Sequence, residues 1–305
     1  MTTFIIPPPI SVYNAVMNDG AVIKLRRYGN PNGHQVFLSH GNGCAIDGYF
    51  PYWRLLLKKY DCIVFDFRNY GRNPVHEGKH CYEKFYEDMV MLFGIADSVF
   101  GKKRRAGIFH SMSARTNIKL ALDDECQLEG MVLFDPPMVP PITHSLHKLL
   151  HDEERVLWRW SAGRPDTFSS TIELADVFKK SRMLSGWVDG AYELMAQSVL
   201  RKNTSSGNWH LVCSGQRESY IYKENAKMNI WPSASEFSMP ILIIGADPDS
   251  DIPSAPAHAC RALSKEKGWL YKSVAGTGHF LQLQQPEICA CLTKEFLSNF
   301  VFKGK

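Results

Sequence analysis

The chain has 305 residues, is 45% hydrophobic and 22% charged, and carries a formal net charge of +4. That composition is the one expected of an ordinary soluble globular protein, large enough for one α/β domain or a domain with an insertion. So small a charge argues against a nucleic-acid surface, and the single basic cluster, Lys102-Lys103-Arg104-Arg105, reads as a solvated turn. No stretch reaches the ~18 apolar residues that a transmembrane helix needs. Met1 to Pro9 has no basic region and too short an apolar run for a signal peptide. None of the eight cysteines forms a C-x-x-C pair, and several sit in apolar patterns where a free thiol packs as a small hydrophobe. A reducing cytoplasm is the expected setting.

In chain order, residues 10–16, 21–28 and 35–38 read as strands joined by the turns Asn18-Asp19-Gly20 and Asn30-Pro31-Asn32-Gly33, an antiparallel opening to a sheet. Leu38-Ser39-His40-Gly41-Asn42-Gly43 ends the third strand in a glycine-bearing loop, and a helix is expected over 50–59. Cys62 to Asp66 is a continuous apolar run of the kind a strand covered on both faces shows. A helix follows over 81–100, where Phe85, Met89, Leu92 and Phe93 fall at helical spacing. Then come an apolar run into His110, a helix over about 115–122 and a buried strand at Met131–Phe134. Pro136, Pro137, Pro140 and Pro141 break the pattern. From there to about Met239 the periodicity is helical, best over 144–160, 171–184 and 187–201, with no strong buried strand. Alternation resumes with Ile241–Ile244, a helix near 256–267, a strand near 269–274 and a last helix over 286–300. Alternating strands and helices argue for an open parallel sheet, with about a hundred residues inserted near the edge where ligands bind in such sheets.

The stretch that organises the chain is Ala106-Gly107-Ile108-Phe109-His110-Ser111-Met112-Ser113-Ala114-Arg115. It places a serine between an apolar strand and a helix, the pattern of a nucleophile on a tight turn. Such a turn favours small residues two positions either side. Ser113 meets that demand and Phe109 does not. A serine hydroxyl needs a base, and Gly276-Thr277-Gly278-His279 supplies His279 in a loop between the last strand and the last helix. The imidazole in turn needs a carboxylate. The loop after Ile244 offers Asp247, Asp249 and Asp251. Asp247 is preferred as soonest after the strand and stiffened by Pro248, with Asp249 second. Asp135, ending the preceding strand, stands in reserve. For the oxyanion of acyl transfer, the backbone N–H groups of Met112 and Asn42 are the expected donors. His144, His147 and His151 lie at helical spacing without a Cys or Asp to complete a metal set, so no metal or other cofactor is expected. Trp158, Trp160, Trp187, Met183, Leu184 and Met195 include candidates for an acyl-pocket lining.

In their order these motifs resemble the α/β-hydrolase family over nearly the whole chain. His40 to Gly43 matches the His-Gly loop. Asp66, Arg68, Gly71 and Asn73 match an Asp-x-Arg-Gly-x-Gly-x-Ser loop, with Asn69 in place of its first glycine. His110-Ser111-Met112 matches the elbow, and Gly278-His279-Phe280 the C-terminal motif. The resemblance implies an eight-stranded, mostly parallel sheet with helices on both faces. It further implies a core of residues 1–137 and 240–305 and a helical lid of residues 138–239. The expected activity is that of a carboxylesterase-like serine hydrolase acting through an acyl-enzyme on a small acyl substrate. Alternatives are carbon–carbon hydrolysis of a diketone-type substrate, or a non-catalytic binding protein in which Phe109 tilts Ser111 away from its base. The sequence is compatible with a homodimer.

Overall fold

The structure, a computed structural model, describes residues 3–303. Met1 and Thr2, part of the segment read above for a signal peptide, lie outside the described residues. Strands β1 (Ser11–Val16), β2 (Val22–Gly29), β3 (Gln35–Ser39), β4 (Asp61–Val64), β5 (Arg105–His110), β6 (Met131–Phe134), β10 (Ile241–Gly245) and β11 (Leu270–Ser273) form one sheet. Its order is β1-β2-β4-β3-β5-β6-β10-β11. The β1–β2 and β2–β4 pairs are antiparallel and the other five are parallel. This is the α/β-hydrolase fold.

The strand sequences explain why both faces are covered. Successive side chains in a strand point to opposite faces. In β5, Ala106 and Ile108 enter one buried cluster and Phe109 the other. Val132 and Phe134 in β6 face one way, and Met131 and Leu133 the other. The first cluster is closed by α1 (Phe50–Trp53), α9 (Leu281–Gln284) and α10 (Pro286–Phe296). The second is closed by α2 (Tyr82–Phe100), α3 (Met112–Leu122) and α8 (Ala255–Lys267). No helix among the described residues is long and apolar enough to cross a membrane.

Two expectations change. The helix expected over 50–59 shrinks to the single turn of α1, flanked by 3-10 turns at Ile46–Tyr49 and Arg54–Leu56. The chain must bend at once to deliver Asp61 to β4, and the carbonyls of Leu57 and Tyr60 pass so close to Gly29 that a Cβ there would clash. The segment between β6 and β10 is not purely helical. Besides α4 (His147–Gly163), α5 (Thr171–Lys180), α6 (Ala191–Val199) and α7 (Gly215–Asn225), it holds a small antiparallel sheet. That sheet comprises β7 (Thr167–Phe168), β8 (Leu200–Lys202) and β9 (Trp209–Leu211). Strands of two or three residues are too short to display alternation. The helix α7 went unread because its buried face includes Glu218, Ser219 and Asn225 rather than an apolar stripe.

A polar hub joins this inserted segment to the core. Arg115, one turn beyond Ser111 in α3, is fully buried and donates to the carbonyls of Pro137 (2.8 Å), Asn225 (3.3 Å) and Met228 (2.5 Å). Glu154 of α4 lies beside it and accepts from Asn225 Nδ2 at 2.9 Å. Burial outweighs the attraction of Arg115 and pushes the Glu154 carboxyl from 4.5 up to about 8. A raised carboxyl favours the protonated form in the folded chain. Its stabilisation is therefore whole below the unfolded value and is lost as pH rises through about 8. Glu154→Gln keeps the acceptor for Asn225 without the charge. Urea unfolding should find this variant more stable than wild type at pH 8.5, with the difference closing towards pH 5.

Candidate active site

The parallel strands all end at one edge, and the loops leaving that edge carry His40, Asp66, Ser111, Asp135, Asp247 and His279. Ser111 leaves β5 with φ 53° and ψ −113°, in the left-handed region that a non-glycine residue adopts only when its surroundings enforce it. The enforcement is visible. The Ser111 N–H bonds to the Phe134 carbonyl at 3.0 Å, and its own carbonyl accepts the first helical bond, from Arg115, at 3.0 Å. Ser113 Oγ accepts from the His110 N–H (3.0 Å) and donates to the His110 carbonyl (2.9 Å), closing the turn.

Phe109 does not disturb this geometry. A Cβ on Gly107 would lie 2.2 Å from the Phe109 ring, so the ring folds back over the one residue on its face of β5 that has no side chain. Asn69, which replaces a motif glycine, likewise adopts the left-handed φ of 64° that asparagine tolerates, and its Oδ1 accepts the His76 N–H at 2.6 Å. At Gly71 (φ 50°) a Cβ would strike the Asp66 carboxylate.

Ser111 Oγ and His279 Nε2 are 3.0 Å apart, and His279 Nδ1 lies 2.7 Å from Asp135 Oδ2. Neither Asp247 nor Asp249 meets the imidazole, which corrects the preference expressed above. The Asp247 carboxylate is taken by the N–H groups of Gly276 (2.9 Å) and Asp249 (3.0 Å), which hold it below the usual carboxylate range. Asp249 pairs with Arg261 at 2.8 Å. Asp247 thus shapes the histidine loop from outside, while the carboxylate that reaches the ring comes from the neighbouring strand. Asp135 is completely buried, with a left-handed φ of 41°. Besides His279, its carboxylate accepts from Ser254 Oγ (2.7 Å) and the Ala246 N–H (3.1 Å). The reserve candidate was legible as Asp135-Pro136, an acid at a strand end followed by proline. Asp247-Pro248 shows the same signal, and both satisfy the order serine, acid, histidine.

A second histidine braces the first. Burial holds the His110 imidazole well below its ordinary basicity, so it is neutral. Its Nε2–H donates to the His279 carbonyl at 2.9 Å, and its Nδ1 accepts from Tyr49 Oη at 2.7 Å. A Cβ on Gly41 would lie 2.8 Å from the His110 ring and 3.2 Å from Ser111 Cβ, so only glycine lets the His40 to Gly43 loop close on the elbow. In that loop Asn42 is held by its side chain. Oδ1 accepts from Tyr70 Oη (2.5 Å), and Nδ2 donates to the Glu218 carbonyl of α7 (3.0 Å). Among the described residues the backbone N–H groups of Asn42 and Met112 have no protein acceptor. Of the expected pocket residues, Trp187 packs on Phe280 beside His279 with ring centroids 5.1 Å apart, whereas Trp160 is largely exposed. His144 bonds Glu266 and His147 bonds the Pro140 carbonyl, and no cluster of metal ligands occurs among the described residues.

Residues 36–290 match the model of the alpha/beta hydrolase family, and the chain belongs to that family. Among solved structures it is similar to E-2-(acetamidomethylene)succinate hydrolase, with 18% identity and a TM-score of 0.74 over 94% of this chain and 99% of that one. It also resembles an N-formylmaleamic acid deformylase from Pseudomonas putida S16 (19%, TM-score 0.63, 92% and 100%) and the epoxide hydrolase CorEH (16%, TM-score 0.64, 94% and 98%). No curated protein sequence matches it. Identities this low speak to the fold.

The packing of Phe109 over Gly107 has a measurable consequence. Gly107→Ala should destabilise the protein by about 1–3 kcal/mol through overpacking. Most of that penalty should vanish when Phe109 is also changed to Leu, so a double-mutant cycle by chemical denaturation should show strong non-additivity.

Proposed function

We propose that the protein is a serine hydrolase of small acyl compounds, esters or amides, with Ser111 as nucleophile, His279 as general base and then acid, and Asp135 as the orienting carboxylate. The observation that carries this reading is the unbroken chain from Ser111 Oγ through His279 to Asp135, at 3.0 and 2.7 Å. His279 Nε2 accepts the Ser111 proton as Oγ attacks the carbonyl carbon. Asp135 stabilises the resulting imidazolium. The N–H groups of Met112 and Asn42 are the donors for the oxyanion. His279 passes its proton to the leaving alkoxide or amine, an acyl-enzyme remains, and water activated by the same imidazole releases the acid.

Two neighbours are named for acetamido and formyl amide substrates, which supports extending the substrate class from esters to amides. Ser111 is only 7% exposed, which supports a small substrate and a role for the inserted segment 138–239 as a lid. A serine at position 111 disfavours the aspartate-nucleophile chemistry of epoxide hydrolases. The motive for a purely binding role is a serine tilted by Phe109, and the 3.0 Å contact from Ser111 Oγ to His279 Nε2 supports the catalytic reading instead.

The test is kinetic. On p-nitrophenyl acetate and on small N-formyl and N-acetyl amides, Ser111→Ala should lower kcat by roughly 10⁴-fold or more and abolish fluorophosphonate labelling. Asp135→Asn should lower kcat by about 10²- to 10⁴-fold, and Asp249→Ala should leave it within about twofold. Labelling that persists in Ser111→Ala, or an Asp249→Ala loss equal to that of Asp135→Asn, would refute the assignment.

A further inference from the structure

Glu153 has no part in the reaction as described, yet its position ties it to the triad. It lies three residues after Leu150 on α4, on the same helix face. Leu150 packs with Ala255 and Ala259 of α8, and Glu153 Oε1 accepts the Ala255 N–H at 3.2 Å. Ala255 opens α8. The residue before it, Ser254, donates to Asp135 Oδ2 at 2.7 Å, the same oxygen that meets His279 Nδ1. Glu153 is half-buried, whereas its neighbour Glu154 is sealed and committed to Asn225.

The charged groups felt at Glu153 are His279 and Asp135 from the core and Glu154 from its own helix, while α8 offers it a backbone N–H. Burial raises its carboxyl, a charge on His279 lowers it, and Asp135 raises it. Attraction between two groups is mutual. An anion at 153 therefore favours a cation at 279. His279 itself meets Asp135 and packs against the neutral His110.

We propose that Glu153 is a positioning residue for this reaction: a second carboxylate, brought in by the docking of α4 on α8, that stabilises the protonated imidazole of His279. The inference rests on the triad reading above. In the serine mechanism His279 is protonated at each tetrahedral intermediate, so a charge on the inserted segment favours turnover when that segment is seated.

Glu153→Gln separates this role from simple capping of α8, because the amide oxygen still accepts the Ala255 N–H while the charge is gone. The primary readout is the titration of the His279 ring by NMR, using ¹³Cε1-labelled histidine and a His279→Gln variant for assignment. It needs no turnover. Glu153→Gln should move His279 protonation to lower pH by about half a unit or more, with the unfolding midpoint nearly unchanged, and Glu153→Asp should restore part of the shift. The same comparison in a Glu154→Gln background removes the titration of Glu154 and should give the same displacement. In the hydrolase assay kcat should fall roughly three- to tenfold, KM should hold within about twofold, and the acid limb of kcat/KM should move to lower pH. An unchanged His279 titration in Glu153→Gln overturns the proposal, including the case where Glu153→Ala merely lowers the unfolding midpoint. If the titration moves but no ester or amide is hydrolysed, the coupling stands and the reading of the reaction falls.

Discussion

Asp135 carries its carboxylate with no exposed surface, and a buried ion left unmet would cost several kcal/mol. Three N–H and O–H donors meet it, each from a different element: the His279 ring from the loop after β11, the Ser254 hydroxyl at the start of α8, and the Ala246 N–H at the end of β10; the Cys260 thiol of α8 adds a longer contact of 3.9 Å. The carboxylate therefore does more than orient an imidazole. It gathers the ends of three consecutive pieces of the fold at one point, and that point determines where His279 Nε2 lies relative to Ser111. The left-handed backbone at both Ser111 and Asp135 is consistent with a site whose geometry is imposed by the sheet.

Two residues depart from the usual motif, and each is absorbed locally. Phe109 occupies a position where a small residue is the rule, and the space it needs comes from Gly107 two residues earlier on the same face. Asn69 stands where glycine is usual and adopts the same left-handed conformation, with its side chain employed on His76. The underlying requirement is on backbone path and free volume. A motif records one common way of meeting that requirement, so a sequence can violate the motif while satisfying the physics.

This distinction explains what was legible in the chain. The sheet, its helices on two faces and the convergence of Ser111 with His279 all follow from hydrophobic patterning and the order of strand ends, which are properties of long segments. The choice between Asp135 and Asp247 was not legible. Each is an acid at the end of a parallel strand followed by proline. They differ only in which adjacent strand end lies under the imidazole, which is a matter of tertiary register. The bracing by His110 and Tyr49 was hidden for a similar reason, since residues 61 apart become partners only once β5 has taken its place beside β3. The strands β7, β8 and β9 were too short to carry a period, and α7 presents polar residues to its buried face.

The polar face of α7 also shows how the inserted segment and the core depend on each other. Glu218 gives its carbonyl to the Asn42 side chain, its carboxylate pairs with Arg164, and that carboxylate lies where a Cβ on Gly43 would sit. Asn42 is thus gripped from below by Tyr70 of the core and from above by the insertion. The contacts that fix Ser111, His279 and Asp135 come from strand ends, the loop after β11 and the start of α8, and would survive displacement of α7. The grip on Asn42 would not, because half of it belongs to the insertion. The two ends of the Asn42 side chain are therefore held by different parts of the chain, whereas the Ser111–His279–Asp135 contacts involve no residue of α7.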